Sequence, residues 1–164
     1  MSIVVVGSLN MDLVVSVKKR PRTGETVLGS DVIFVGGGKG ANQAIAAARL
    51  GGQVAMVGKV GDDPFGGTLR ANLAAAGVNT DGIQVEAGVS SGVAFITVDD
   101  AGDNQIIVSP GANSRLSETD ITLHTDLISQ SQVLLLQLEI PIPTVIAAAE
   151  LAHQKGVTVI LDPA

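Results

Sequence analysis

The chain has 164 residues, enough for one ordinary domain with a sizeable core, and its formal net charge of −6 does not suit a nucleic-acid partner. It is 46% hydrophobic, yet Asn10, Asp12, Glu139 and the prolines break every apolar stretch before the roughly 18 residues that a membrane span needs. Cysteine is absent, and the two histidines, His124 and His153, stand too far apart to look like paired ligands, so disulfides and thiolate metal sites are excluded and a protein metal cage is not expected.

In chain order, Ile3 to Val6 is β-branched and continuously apolar, as a strand covered on both faces should be. The residues before and after it lack the basic region and cleavage site of a secretory signal, which predicts a cytoplasmic protein. Leu13 to Val17 and Glu25 to Val35 read as antiparallel ribbon segments. Between them Lys18-Lys19-Arg20-Pro21-Arg22 has no aromatic neighbour for base stacking and reads as a solvated loop. Residues 39 to 50 form a helix stopped by Gly51-Gly52; Gln53 to Val57 is a second buried strand; Pro64 to Ala76 is a helix capped by Asp62 or Asp63 and closed by Gly77.

Gly92 to Asp99 and Asn104 to Ser109 flank Asp100-Ala101-Gly102-Asp103, a hairpin turn. Val133 to Leu138, Thr144 to Gln154 and Val157 to Leu161 then make a strand, helix and strand whose two strands should be parallel neighbours. The pattern predicts one α/β domain over residues 1–164, with an accessory sheet built from ribbons at about 13–35 and 92–109. Runs such as Val93-Ala94-Phe95-Ile96 ask for cover on both faces of that sheet, a ligand cleft on one and a second subunit on the other. The last strand ends at Leu161 with no crossover helix after it, leaving an edge that a continuation or a partner would be expected to cover.

Residues 35 to 52, VGGGKGANQAIAAARLGG, pose the functional question. The loop is not a P-loop, because Ile33 stands where the first glycine belongs and Gly40 where Ser or Thr belongs. Nor is it a dinucleotide fingerprint, since the third required glycine falls on Ala41 or Gln43. A helix N-terminus with bare amides still suits a ligand oxygen, whereas the plainer reading is a tight turn needing positive φ. Asn10 and Asp12 follow the first buried strand at the edge where open α/β sheets bind ligands, and a period of two turns both side chains the same way.

A carboxylate accepts from vicinal hydroxyls while asparagine and lysine donate, so Asn10, Asp12, Lys39 and Asn42 make a polyol receptor. With only Phe34, Phe65 and Phe95 as aromatics, recognition would rest on hydrogen bonds. The alternatives are side chains bonded to their own turn for Asn10 and Asp12, a solvated charge or a partner of Asp12 for Lys39, and a plain surface residue for Glu139 after its strand.

Together these residues resemble the ribokinase-like carbohydrate kinases, the phosphofructokinase-B type family. Gly37-Gly38-Lys39-Gly40-Ala41-Asn42-Gln43-Ala44 is followed after six residues by Gly51 and after nine more by Gly61, matching the family's first signature. Gly7-Ser8-x-Asn10-x-Asp12, Pro21-x-x-Gly24-Glu25-Thr26, Gly61-Asp62-Asp63-x-Phe65-Gly66 and Gly111-Ala112-Asn113 extend the resemblance along the whole chain, toward the ribokinase branch more than the fructokinase or adenosine kinase branches.

The resemblance implies a doubly wound, mostly parallel sheet with a β lid over a sugar, D-ribose for that branch. It implies that Asn10, Asp12, Gly38, Lys39, Asn42 and Glu139 bind the sugar hydroxyls. Two subunits would clasp through lid strands or through the exposed terminal strand, without nucleic acid or membrane. ATP, magnesium and a monovalent cation are implied for the full-length family, whose second signature with its aspartate base lies in a C-terminal half not represented here. Glu25, Asp62, Asp63 and Asp162 read as turn and cap residues rather than substitutes for that base. The expectation is a sugar-binding half, inactive in catalysis alone, from a truncated or naturally short chain; the alternative is a non-catalytic sugar-binding or dimerising module.

Overall fold

A computed structural model describes residues 1–164. Its main sheet is parallel and holds β1 (Ser2–Val6), β4 (Gln53–Gly61), β5 (Asn79–Glu86), β8 (Val133–Leu136) and β9 (Thr158–Leu161), in the order β5-β4-β1-β8-β9. The alternation of β1 divides the core between two faces. Ile3 and Val5 pack with Ala41 and Ala44 of α1 (Lys39–Arg49) and Leu69 and Leu73 of α2 (Pro64–Ala75). Val4 and Val6 pack on the other side with Ile121 of α3 (Glu118–Leu123), Ile128 of α4 (Thr125–Ser129) and Ala148 of α5 (Ile142–Gln154). Helices on both faces make the expected doubly wound α/β layer. The central strands β1 and β4 are buried along almost their whole length, which is why the sequence reads as apolar runs there. No helix is long and apolar enough to cross a membrane.

From β1 the chain first builds outward through β4 to β5, then returns to build the other way through β8 to β9. The order therefore reverses between β1 and β8, and the crevice beyond their C-terminal ends is the topological switch point. A second, four-stranded sheet stands over this end, in the order β3-β2-β6-β7, from β2 (Asn10–Val17), β3 (Ile33–Gly37), β6 (Gly92–Asp99) and β7 (Asn104–Ser109). It is not wholly antiparallel. β2 pairs in parallel with β6, from Asn10↔Gly92 to Val17↔Asp99, while β3 and β7 flank them antiparallel. Both central strands leave the main sheet at the same end and run the same way, a long-range fact that no ribbon pattern carries.

Other boundaries also differ from the sequence reading. Asn10 and Asp12 do not extend β1; the backbone turns at Gly7-Ser8-Leu9 and they open β2. Between Glu25 and Val35 only Ile33–Gly37 is strand, apart from a single bridge between Val17 and Gly29. β5 was not anticipated, because as an edge strand carrying Asn79, Asp81, Gln84 and Glu86 it lacks the apolar signal of its neighbours. A 3-10 turn at Gly111–Arg115 and the short α3 and α4 likewise lack a long period.

The start of α2 shows how the two sheets are tied. Asp63 is the N-cap: its Oδ1 accepts from Gly66 N at 2.9 Å and from Ser91 Oγ at 2.7 Å, and its Oδ2 accepts from Ser91 N at 2.8 Å. Ser91 is fully buried and immediately precedes β6. Burial would raise the Asp63 carboxyl, but the bonds from Ser91 and Gly66 outweigh it and hold the group below its ordinary value. Its stabilisation is therefore present above pH of about 4 and is lost as pH falls through the depressed folded value. Asp63→Ala is expected to lose about 2 kcal/mol by urea unfolding at pH 7 and to lose the corresponding acid sensitivity. An unchanged midpoint would contradict the tie.

Candidate functional site

The switch point is assembled from three chain segments: the turn after β1, the start of α1, and the loop after β8. Gly38, at φ +92°, precedes α1. The first amides of the helix are already used: Lys39 N donates to Glu139 Oε2 at 3.1 Å, Gly40 N to Ser8 Oγ at 3.3 Å, and Ala41 N to the Ser8 carbonyl at 3.0 Å. Ser8 Oγ in turn donates to Glu139 Oε2 at 2.7 Å, and Lys39 Nζ lies 3.1 Å from Glu139 Oε1. Glu139 thus joins β8 to the helix terminus, where a negative charge complements the dipole. Burial would raise its pKa, and the bonds from Ser8 and Lys39 more than reverse this, so it is held below the usual carboxylate range.

This alters the meaning of the glycines. They admit a close approach of α1 to the backbone of Gly7 to Asn10, rather than leaving bare amides for a ligand. It also bears on the implied ATP. The residues present do not make a triphosphate cradle, since the α1 amides are occupied, and no group of three His, Asp or Glu side chains gathers that could hold a metal ion. No phosphate chemistry follows from these residues.

Asn10 and Asp12 share one face of β2, as the period of two requires. Asn10 is buried, and its Oδ1 accepts from Asn113 Nδ2 at 2.8 Å. Asp12, paired in register with Val35, lies over Gly37, where a side chain would strike its carboxylate. Burial first, and the Glu139 charge second, raise its carboxyl above the ordinary value, with no hydrogen bond to offset either. Lys39 pairs with Glu139 and not with Asp12.

Asn42 lies one helical turn beyond Lys39, on the same side of α1, and is exposed. Asn10, Asp12, Gly38, Lys39 and Glu139 therefore lie close together beyond the C-terminal end of β1, with Asn42 exposed one turn further along α1. Sequence reasoning missed Ser8 and Asn113; the Gly-Ala-Asn triplet after β7 was the available signal, but its partner lies more than a hundred residues away.

The full chain, residues 1–164, matches the family model described as pfkB family carbohydrate kinase. It is 47% identical over 163 residues to a ribokinase of Bacillus subtilis (strain 168), covering 99% of this chain and 55% of that protein. It is 40% identical over 164 residues to a deoxyribokinase of Salmonella typhi, covering all of this chain and 54% of that one. The structure of Arabidopsis thaliana ribokinase complexed with ribose and ATP superposes with a TM-score of 0.86 at 33% identity, over 98% of this chain and 53% of that chain. Ribokinase from Thermotoga maritima gives 0.87 at 37% identity, over 98% and 52%. The chain spans about half the length of the curated relatives it matches. With the fold and the whole-length match in agreement, this chain belongs to the pfkB family of carbohydrate kinases.

Proposed function

We propose that this chain supplies the sugar-binding elements of a ribokinase-type kinase, an enzyme that phosphorylates the terminal hydroxyl of D-ribose with ATP, and that alone it binds the sugar without transferring phosphate. One observation supports the reading: Asp12 is a raised carboxylate with no protein donor, on the same face of β2 as Asn10, whose Oδ1 is taken by Asn113 and whose Nδ2 has no protein acceptor. Partly exposed and without a protein donor, this carboxylate is open to donors from outside the chain, and vicinal hydroxyls are suited to that role. Lys39 and Glu139 neutralise each other, leaving a neutral ligand preferred over an anion. The relatives support ribose, since one of them carries ribose and ATP in its solved structure. The second sheet would form the cover over the sugar.

Asp12→Ala is expected to weaken ribose binding at least tenfold by calorimetry, because each lost charge-assisted bond is worth about 1.5–3 kcal/mol. The melting temperature should hold or rise, for the folded state carries the burden of this charge above the raised pKa and sheds it as pH falls. Unaltered affinity would remove Asp12 from the site. Phosphorylation of ribose by the pure chain with ATP would overturn the division of labour.

The exposed side of the second sheet favours a further element of the proposal, a homodimer. Phe34 of β3, Phe95 of β6 and Ile107 of β7, aligned in register on the face opposite Asp12, are 58%, 49% and 72% exposed, an apolar surface that a second copy would cover. Sedimentation should show a dimer that Ile107→Lys dissociates.

A further inference from the structure

Asn113, in the 3-10 turn after β7, is buried at 2% exposure. Its amide is clamped at both ends by one residue's backbone: Oδ1 accepts from Leu9 N at 2.9 Å and Nδ2 donates to Leu9 O at 3.0 Å. A backbone N–H can only donate and a backbone C=O only accept, so the Asn113 amide cannot flip. Its second Nδ2 proton must meet an acceptor, and it meets Asn10 Oδ1 at 2.8 Å. The Asn10 amide is then also fixed, with Nδ2 as the group left free. Gly92, paired with Asn10 across the β2–β6 ladder, leaves room for this bond; any side chain there would collide with both amides.

We propose that Asn113 is a positioning residue that holds Asn10 in the donor-outward orientation, so that the crevice presents a donor at Asn10 beside the acceptor at Asp12. This rests on the sugar-binding reading above. The consequence is a specificity rule. A hydroxyl can donate to Asp12 while a neighbouring hydroxyl oxygen accepts from Asn10, so a neutral polyol satisfies both. With Asn10 reversed, two acceptors would face the ligand, an arrangement suited to an ammonium group instead. The polarity of the site is thus set by the Leu9 peptide and relayed through Asn113.

The test has two arms on the 164-residue chain. In the first, asparagine side-chain amides are observed by NMR without ligand. The expected result is a coupling across the hydrogen bond from Asn113 Nδ2 to Asn10 Cγ, lost in Asn113→Asp; absence of that coupling in the parent overturns the proposal whether or not ribose binds. In the second, ribose is titrated into the parent, Asp12→Ala and Asn113→Asp, with folding checked by backbone spectra.

The Asn113→Asp carboxylate can only accept, so it draws Asn10 Nδ2 inward, and ribose affinity should fall about tenfold to a hundredfold. The Asn10 side-chain amide should shift on ribose addition in the parent, while that of Asn113 stays in place. A folded Asn113→Asp variant with parental affinity, alongside an Asp12→Ala variant that loses binding, overturns the positioning role and leaves the sugar reading standing. No binding by the parent sinks the sugar reading, and the first arm still decides the amide orientation. If Asn113→Asp does not fold, the shift of the Asn10 amide in the parent decides the second arm; an unmoved Asn10 signal under saturating ribose overturns the proposal.

Discussion

Gly38→Ala and Gly40→Ala are each expected to cost about 3 kcal/mol or more of folding stability, at or beyond the upper end of what overpacking usually costs, because the obstacle is backbone with no room to relax. A Cβ on Gly40 would stand 2.6 Å from Ser8 N, 2.7 Å from Gly7 C and 2.8 Å from Gly7 Cα. One on Gly38 would stand 2.8 Å from Asn10 N and from Ser8 O, and 2.9 Å from Leu9 Cα, at a φ of +92° that L side chains rarely adopt. Every obstacle is main chain, so none can swing aside as a side chain would.

Two glycines of the same chain serve as controls. Gly51 has φ +87° but nothing within 4 Å of its Cβ position, so Gly51→Ala should cost only the backbone strain, about 1–2 kcal/mol. Gly67, inside α2 with open space around it, should tolerate alanine and gain about 0.5–1 kcal/mol from helix propensity. Urea unfolding of the four variants at one pH gives the ranking. A Gly40→Ala protein within 1 kcal/mol of the parent would mean that α1 does not press on the β1–β2 turn. The same approach carries the site, because it brings Lys39 N and Ser8 Oγ within reach of Glu139, so a folded survivor of either substitution should also bind ribose poorly.

Those glycines were conspicuous in the sequence, but what they approach was not. The strands and helices flanking them were legible because β1, β4 and β8 are covered on two faces and so are written as unbroken apolar runs, while the caps and stops at Asp63, Gly77 and Gly156 are local. That Asn10 and Asp12 share a face was legible from the strand period.

What escaped has a common cause: its partner is distant in the chain. Ser8 with Glu139, Leu9 with Asn113, and the parallel pairing of β2 with β6 are all joined across long sequence separations, so no window of residues contains both halves. Glu139 illustrates the gap. As a lone residue after a strand it read more readily as surface than as ligand; only the folded chain reveals that it accepts from the first amide of the helix that begins at Lys39. The edge strand β5 failed for the opposite reason, being polar enough along its length to resemble a loop.

Lys59 is the largest structural charge that no motif announced, and its replacement provides the second strong test. It sits in β4, 8% exposed, with Nζ 2.9 Å from Glu86 Oε2 at the end of β5 and 3.1 Å from Asp120 Oδ2 in α3. Asp120 Oδ2 also accepts from Ser117 N and Ser117 Oγ, both at 2.7 Å, closing the capping box of α3. One ammonium therefore ties the main sheet to the helix that follows the Asn113 turn. Burial would lower the Lys59 pKa, but its bonds to Glu86 and Asp120 raise it; burial would raise Asp120, but Ser117 and Lys59 lower it.

The signs fix the pH profile. The Asp120 contribution is present above its unfolded value near pH 4 and is lost as pH falls through the depressed folded value; the Lys59 contribution is present below about pH 10.4 and is lost as pH rises through the raised one. Lys59→Met keeps most of the volume but leaves Asp120 buried without its counter-ion, and is expected to cost about 3 kcal/mol at pH 7. The deficit relative to the parent should shrink as pH falls, because Asp120 without the ammonium protonates first, while in the parent Ser117 and Lys59 hold it ionised to lower pH.

Adding Asp120→Asn to Lys59→Met should recover part of the loss, since a neutral side chain no longer needs the ammonium. Urea midpoints at pH 7 and pH 4 for the parent, the single and the double variant decide it. A deficit that is the same at both pH values, with no recovery in the double variant, would show that Lys59 stabilises through packing of its methylene stem and not through charge.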